Sequence, residues 1–333
     1  MTLDILNPGG RDPDQSFPDA AGSPRDAGHP PVNYHGYAAC MSGNFLRKAG
    51  HCESKHVLVL LRKRNMRDAL HAVRELKKRG VIVLLSCKES GSHQIAELLN
   101  EPKRWLLFCE LCREAHGALS STPELTGIYL AAGARFAEFI PTPYPLESPE
   151  WNFSKPLAGR AGIFIGTREF DIPSRNHIAA VILGDSISRD LGCPLTVVNS
   201  EGRRGRAILA PFQKANFRLR VVDSLPYPAY LEEMADHRIV WQLDSSAVPG
   251  QVAGDALLCR MPCIGGNGAV DRLAFTEYSA QLPRETLMEK ARTLILDNIE
   301  WQKCTDLAFK AGMNQLAFSA VSKKLEAFLS RLS

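Results

Sequence analysis

The chain has 333 residues, 45% of them apolar and 23% charged, and its 40 basic and 36 acidic side chains leave a formal net charge of +4. Such a composition belongs to a globular protein long enough for two domains at roughly 150 residues each. The mild charge gives no argument for nucleic-acid or membrane binding, although it suits an anionic ligand. No apolar run approaches the roughly 20 residues that span a bilayer.

Residues 1–10 lack a basic segment and a long apolar core, so no signal peptide is expected and the chain reads as cytoplasmic. Nine cysteines, an odd number, are scattered from Cys40 to Cys304. Cys109 and Cys112 form a single C-x-x-C, and no second pair or His pair stands at zinc spacing. Several cysteines lie in apolar runs, where the thiol behaves as a small hydrophobe. Reduced structural cysteines, with no metal and no cofactor, are the expectation.

In chain order, residues 3–6 make a short strand that ends in Asn7-Pro8-Gly9-Gly10, and a stretch rich in Pro, Asp, Gly and Ser continues to residue 31. That is loop chemistry, and a long ordered loop is often functional. A short helix is expected over 42–49. Strand 57–61 then opens an alternation: helix 67–79 with Gly80 as its stop, strand 81–85, a polar loop over 87–93 and helix 94–100. Strands 105–109 and 118–119, helix 123–132 and strand 136–140 complete it. Such an alternation implies a parallel sheet covered on both faces.

Four prolines within 141–149 form a stiff connector, and the grammar then repeats. Strand 162–165 leads to helix 174–191, with Ser174 as N-cap and Gly192 as stop. Strand 195–198, a charged turn at Arg203-Arg204-Gly205-Arg206, strand 219–222, helix 227–235 and strand 239–243 follow. The stretch 244–268 holds Pro249-Gly250, a helix over 251–259 and a short strand at 263–264; helices 284–296, 299–310 and 314–332 close the chain. The predicted fold class is α/β, two doubly wound Rossmann-like domains over 1–155 and 156–312 with a helical tail over 313–333 packing back on the first.

Ligands of doubly wound sheets bind beyond the carboxyl ends of the strands, so candidates come from the loops after strands. Gly9 and Gly10 would let backbone approach a ligand closely. Lys88, Glu89 and His93 crowd one polar loop, where the imidazole could serve as acid, base or hydrogen-bond donor. Gly166, Arg168 and Arg175 surround a helix start, and two guanidinium groups there suit a diphosphate. Asn199 ends a strand before Gly202. Gly250, Gln251 and Val252 open a helix whose free amides suit phosphate. Asp255 in that helix could accept ribose hydroxyls, as acidic residues do in nucleotide sites. The cluster Arg203–Arg206 reads as a solvated face that would meet an acidic acceptor or lipid head groups, if anything.

The second half resembles the donor-binding domain of GT-B-type retaining glycosyltransferases. Gly166-x-Arg168 with Arg175 resembles that family's Gly-Arg and Lys for the donor diphosphate. A strand ending in a Gly loop (Asn199 to Gly202) follows. Then the segment Asp255-Ala-Leu-Leu-Cys-Arg-Met-Pro-Cys-Ile264 resembles its Glu-Ala-Met-Ala-Cys-Gly-x-Pro-Val-Ile, with Asp255 at the second Glu of Glu-x7-Glu and Ala247 at the first. The helical tail matches as well, and the first half agrees through its Gly-Gly loop and its Ser121-Thr-Pro before the linker. The resemblance implies metal-independent transfer, with retention, of a sugar from a UDP- or GDP-linked donor in a cleft between domains. It makes Arg168 the diphosphate stabiliser with Arg175, and Asp244 and His93 the contacts of the transferred sugar. The partners implied are a nucleotide-sugar and a glycan, lipid or small-molecule acceptor, with no nucleic acid; peripheral contact at the inner membrane face is compatible. The alternatives are a catalytically silent relative, suggested by Ala247, that binds a sugar nucleotide or a partner protein, and a sugar-nucleotide epimerase.

Overall fold

The run His56–Leu61 is apolar at five consecutive positions, so as a strand it has no face to offer water and needs cover on both sides. The computed structural model, which describes every residue except 27, 89, 90, 167–169, 171, 216 and 333, places it at the centre of a seven-stranded sheet. The chain divides into two units, the first holding Met1–Ser148, Ala247–Pro249 and Asn314–Ser333, the second Pro149–Ser246 and Gly250–Met313.

In the first unit the elements run β1 (Asp4–Leu6), β2 (Gln15–Ser16), α1 (Asn33–Cys40), β3 (Asn44–Leu46), β4 (His56–Leu61), α2 (Met66–Lys78) and β5 (Ile82–Cys87). They continue through α3 (Ser92–Leu99), α4 (Pro102–Glu114), β6 (Gly117–Ser120), α5 (Pro123–Ala131) and β7 (Ala137–Phe139). The sheet order is β2-β3-β1-β4-β5-β6-β7, and all pairings are parallel save that of β2 with β3. Strand alternation feeds two cores. Val57, Val59, Leu61, Val83 and Leu85 pack with the apolar faces of α2, α4 and α5, whereas Leu58, Leu60 and Leu84 pack with α1 and the C-terminal helix Phe318–Ser330.

In the second unit β8 (Ile163–Ile165), α6 (His177–Leu191), β9 (Leu195–Asn199), α7 (Gly202–Lys214) and β10 (Leu219–Asp223) come first. Then follow α8 (Tyr227–Ala235), β11 (Ile239–Trp241), α9 (Gln251–Leu258), β12 (Cys263–Ile264), α10 (Ala269–Ala274), α11 (Arg284–Leu296) and α12 (Asn298–Gln315). The five strands lie wholly parallel in the order β10-β9-β8-β11-β12. Gly80 and Gly192 close α2 and α6 with φ of 74° and 66°, the left-handed turn that glycine adopts without a Cβ penalty.

Four local expectations are corrected. Residues 42–49 form no helix: the helix lies earlier, at α1, and Gly43 presses so closely on β1 that a Cβ there would stand 2.0 Å from the Leu3 carbonyl oxygen, leaving 44–46 to pair as β3. Residues 105–109 are not a strand but the middle of α4, whose buried Phe108, Cys109, Leu111 and Cys112 follow the helical period behind Pro102 at its start. Ser174 does not cap α6, because Pro173–Arg175 is a separate 3-10 turn and the cap is Asn176 at φ 49°. Arg203–Arg206 sits in the first turns of α7, exposed as expected, with Arg206 paired to Asp223.

No helix among the described residues is long and apolar enough to cross a membrane. All nine cysteines carry free thiols.

Candidate functional site

The second sheet reverses direction between β8 and β11. The chain leaves β8 outward to β9 and β10, then returns to lay β11 on the other flank of β8. Loops after two such strands diverge and leave a crevice, the topological switch point where doubly wound sheets bind ligands. Gly166 and residues 242–250 occupy those two loops.

Gly166 is fixed by contact. Its amide donates to the Trp241 carbonyl at 3.0 Å, and a Cβ on it would lie 2.4 Å from Val252 Cγ1 and 2.7 Å from Val240 Cγ1. Only a hydrogen fits, which lets the start of α9 pack against the end of β8. Gly250, the residue before α9, has φ 94°, a region other residues avoid. Gln251 and Val252, half-buried, are the first two residues of α9.

The two central strand ends are stitched together. Arg175 donates through Nη1 to Asp244 Oδ2. Asn176 donates to the Leu243 carbonyl at 3.0 Å, and Ser245 donates its amide and hydroxyl to the Ser174 carbonyl, each at 2.9 Å. Two residues predicted for different tasks, Arg175 for diphosphate and Asp244 for sugar, are thus partners.

Behind this loop lies Asp271, which sequence reasoning missed. Its carboxylate is buried, accepts from Gln242 Nε2 at 2.9 Å and from the Gly268 amide at 3.1 Å. Burial, with the Asp244 charge adding to it, raises its pKa to about 7. The signal was Gly268-x-x-Asp271, the spacing of a helix-capping carboxylate. Asp255 is fully buried within α9 and accepts the Tyr227 hydroxyl at 2.6 Å; Tyr227 was also missed. Asn199 is buried and local, its amide donating to the Gly202 carbonyl at 2.9 Å while its oxygen accepts from the Glu201 amide at 3.2 Å.

The first unit has its own switch point, between β1 and β4. Gly9, at φ 66°, and Gly10 turn the chain after β1, and Gly10 sits where a Cβ would strike the Asn7 side chain at 2.2 Å. Asn65 after β4 ties the loops by donating to the Pro8 and Leu60 carbonyls, each at 3.0 Å. Lys88 leaves the end of β5 and donates to Asp12 Oδ2 at 2.5 Å, with Arg62 4.0 Å from the same oxygen. Burial would raise the Asp12 pKa, but the Lys88 hydrogen bond and charge outweigh it and hold it below its ordinary value. Nearby, His29 stacks on His35 and His35 on Phe45, both with ring centres 3.7 Å apart. Burial and the neighbouring His29 depress the His35 pKa to about 2, so that ring is neutral. His93, on the exposed first turn of α3, lies 3.5 Å from Glu97 Oε1. Glu89 and Arg168 fall outside the described residues.

No protein-family model and no curated protein sequence matches the chain. Solved structures do. An α-glucosyltransferase in complex with UDP-glucose and DNA containing an abasic site aligns over 98% of both chains at 12% identity, with a TM-score of 0.62. The same type of enzyme in complex with UDP aligns over 99% of this chain and 100% of its own at 10% identity and 0.66. An α,α-trehalose 6-phosphate synthase from Burkholderia multivorans aligns over 84% and 72% at 12% identity and 0.59. The chain has the GT-B fold of these glycosyltransferases. One expectation is overturned: nucleic acid cannot be struck from the partners on a net charge of +4, since structures of this fold are complexes with DNA. Net charge averages over a whole surface and says little about any one face of it.

Proposed function

We propose that the protein is a glycosyltransferase that moves a sugar from a UDP- or GDP-linked donor to an acceptor hydroxyl, with retention and without a metal ion. The observation that carries this reading is the meeting of Gly166, Arg175, Asp244 and the start of α9 at the switch point of one parallel sheet. The GT-B fold, shared with enzymes solved with UDP and UDP-glucose, supports it.

In this reading the amides of Gly250, Gln251 and Val252 hold donor phosphate at the positive end of α9. Arg175, with Arg168, stabilises the negative charge that develops on the departing diphosphate. Asp244 then exchanges its guanidinium partner for a hydroxyl of the transferred sugar. Asp255 gives up the Tyr227 hydroxyl for the ribose hydroxyls, and Asn199 shapes the loop beside them. Gly9, Gly10, Lys88 and Glu89 in the first unit serve substrate binding, and His93 contacts the transferred sugar as a hydrogen-bonding or proton-transferring group.

Turnover tests the reading. Purified protein is incubated with UDP- and GDP-sugars, and release of free nucleoside diphosphate is followed for wild type, Arg168→Ala and Arg175→Ala. Release by wild type that both variants lose while staying folded supports it. A wild type that neither binds nor turns over any of these donors overturns it.

A further inference from the structure

Resting on the donor reading, we infer that Asp271 is a positioning residue for donor binding: its buried carboxylate holds the Gly250 turn in the arrangement that presents the first amides of α9 to the donor phosphates. Three segments converge on that one group. Gln242 follows β11, Gly266 and Gly268 follow β12, and Gly250 precedes α9. Gln242 donates to Oδ1 and the Gly268 amide to Oδ2, at 2.9 and 3.1 Å.

Three glycines lie against the carboxylate. A Cβ on Gly250 would stand 2.9 Å from Oδ2, one on Gly268 2.6 Å from Oδ2, and one on Gly266 2.0 Å from Oδ1. The last two are far inside van der Waals contact. The Gly268 Cβ position is also 2.5 Å from Gly250 Cα, so the two turns touch backbone to backbone. At φ 94° the Gly250 turn is one of several that glycine can adopt, and something outside the turn must select it. Asp271 is the polar side chain against that turn. Its role differs from that of Asp244, which meets solvent-side groups through Arg175; Asp271 acts from behind the loop and touches no donor atom.

The ionised form accepts both N–H groups, whereas the protonated form turns one oxygen into a donor and loosens one of the two contacts. The ionisable groups that face it are Asp244, matched by Arg175, and the Cys263 thiol, whose Sγ is 3.8 Å from Oδ1 and which burial keeps protonated. The elements packed on its helix add Asp255 from α9 and Glu277 from the turn Thr276–Tyr278, and its own helix adds Arg272. With a pKa of about 7, the clamp tightens as pH rises through neutrality.

The test uses the full chain and Asp271→Asn, which keeps the shape but accepts only one N–H. UDP and GDP affinity is measured by calorimetry from pH 6 to pH 8.5, donor KM and kcat by turnover, and amide exchange at Gly268 and at Gly254, which bonds the Gly250 carbonyl at 3.2 Å. The expected result is donor affinity weaker by about tenfold or more. It includes an effect on KM larger than that on kcat, loss of the part of the pH dependence that wild type shows near 7, and faster exchange at both amides. If Asp271→Asn does not fold, Gln242→Met removes one N–H from the same carboxylate at similar volume and is expected to weaken affinity in the same direction. Equal affinity, equal pH dependence and equal exchange in variant and wild type overturn the inference and leave the donor reading standing. A wild type that binds neither nucleotide overturns the donor reading, and the positioning of the turn is then upheld by faster exchange in the variant or overturned by its absence.

Discussion

Arg175 and Asp244 lie 69 residues apart and answer each other across the two central strand ends of the second sheet, the carboxylate almost fully buried and the guanidinium partly so. A cation at the switch point suits an anionic ligand, yet here a carboxylate already neutralises it. In the proposed function a diphosphate arriving at this place competes with Asp244 for the guanidinium, and the carboxylate released is then ready to accept a sugar hydroxyl. In the proposed function the pair thereby couples the two halves of one donor.

Removing the competitor is expected to strengthen nucleotide binding. Asp244→Asn keeps the shape and cancels the charge, so UDP affinity should rise several-fold while sugar transfer falls. Arg175→Ala should weaken UDP binding by about tenfold to a hundredfold, the scale of one charged hydrogen bond, and cost stability of about 3–5 kcal/mol because Asp244 is left buried without its cation, keeping the Ser246 amide at 2.8 Å. Calorimetry with UDP and urea unfolding measure both. Weaker UDP binding by Asp244→Asn would show that the pair is structural.

Stability against pH reports Asp271. Its folded pKa is raised, to about 7 from an ordinary 3.8, so the folded chain holds a proton that the unfolded chain has lost between those values. The contribution is fully present below about 3.8 and disappears as pH rises through about 7. Wild type minus Asp271→Asn should therefore show a difference in unfolding free energy that falls across this window and is flat above it. A difference that rises with pH would contradict the assignment.

Asp12 has the opposite sign. Lys88 holds its pKa below 3.8 against the effect of burial, so the pair's stabilisation is present above that value and is lost as pH falls through the folded pKa. Lys88→Met should lower stability at pH 7 by about 0.5–1 kcal/mol, as expected for a pair with partial exposure. The difference from wild type should shrink toward zero in strong acid. Urea titrations at pH 7 and pH 3 decide it; equal differences at both would mean that Lys88 stabilises by packing on Phe45, which its Nζ overlies at 5.7 Å, rather than by charge.

Much of the fold was legible because covered parallel strands leave apolar runs, as in His56–Leu61, and because Gly80 and Gly192 mark helix ends. The helix α7 was hidden by its own composition. Gly202, Gly205 and Pro211 are poor helix residues, and Gly205 is required because a Cβ would stand 1.9 Å from Asn199 Oδ1. In the site, Gly166 and Gly250 were readable from the strand-loop-helix pattern. The Arg175–Asp244 pair was not, since it depends on β8 and β11 being neighbours, a fact of sheet order rather than of spacing. Asp271 was overlooked because a carboxylate three residues into a short helix looks like an ordinary cap until three glycines are found against it.

Gly166→Ala probes the same site from the strand side. The added methyl would meet Val252 Cγ1 at 2.4 Å and Val240 Cγ1 at 2.7 Å, and Val240 belongs to the sheet and cannot yield. Relief must come from Val252, in the first turn of α9, so the helix start is displaced while the sheet persists. Overpacking of this kind costs about 1–3 kcal/mol, small enough for the variant to fold. UDP affinity should fall by more than that loss of stability alone implies, because the amides of Gln251 and Val252 move with the helix. Trimming the partner should restore part of it: Gly166→Ala combined with Val252→Ala removes the 2.4 Å clash and leaves the 2.7 Å approach to Val240 Cγ1, so part of the lost stability and UDP affinity is expected to return. Calorimetry on the two single variants and the double variant measures this, and a double variant no better than Gly166→Ala would mean that the clash is taken up at Val240 and that the start of α9 is not displaced.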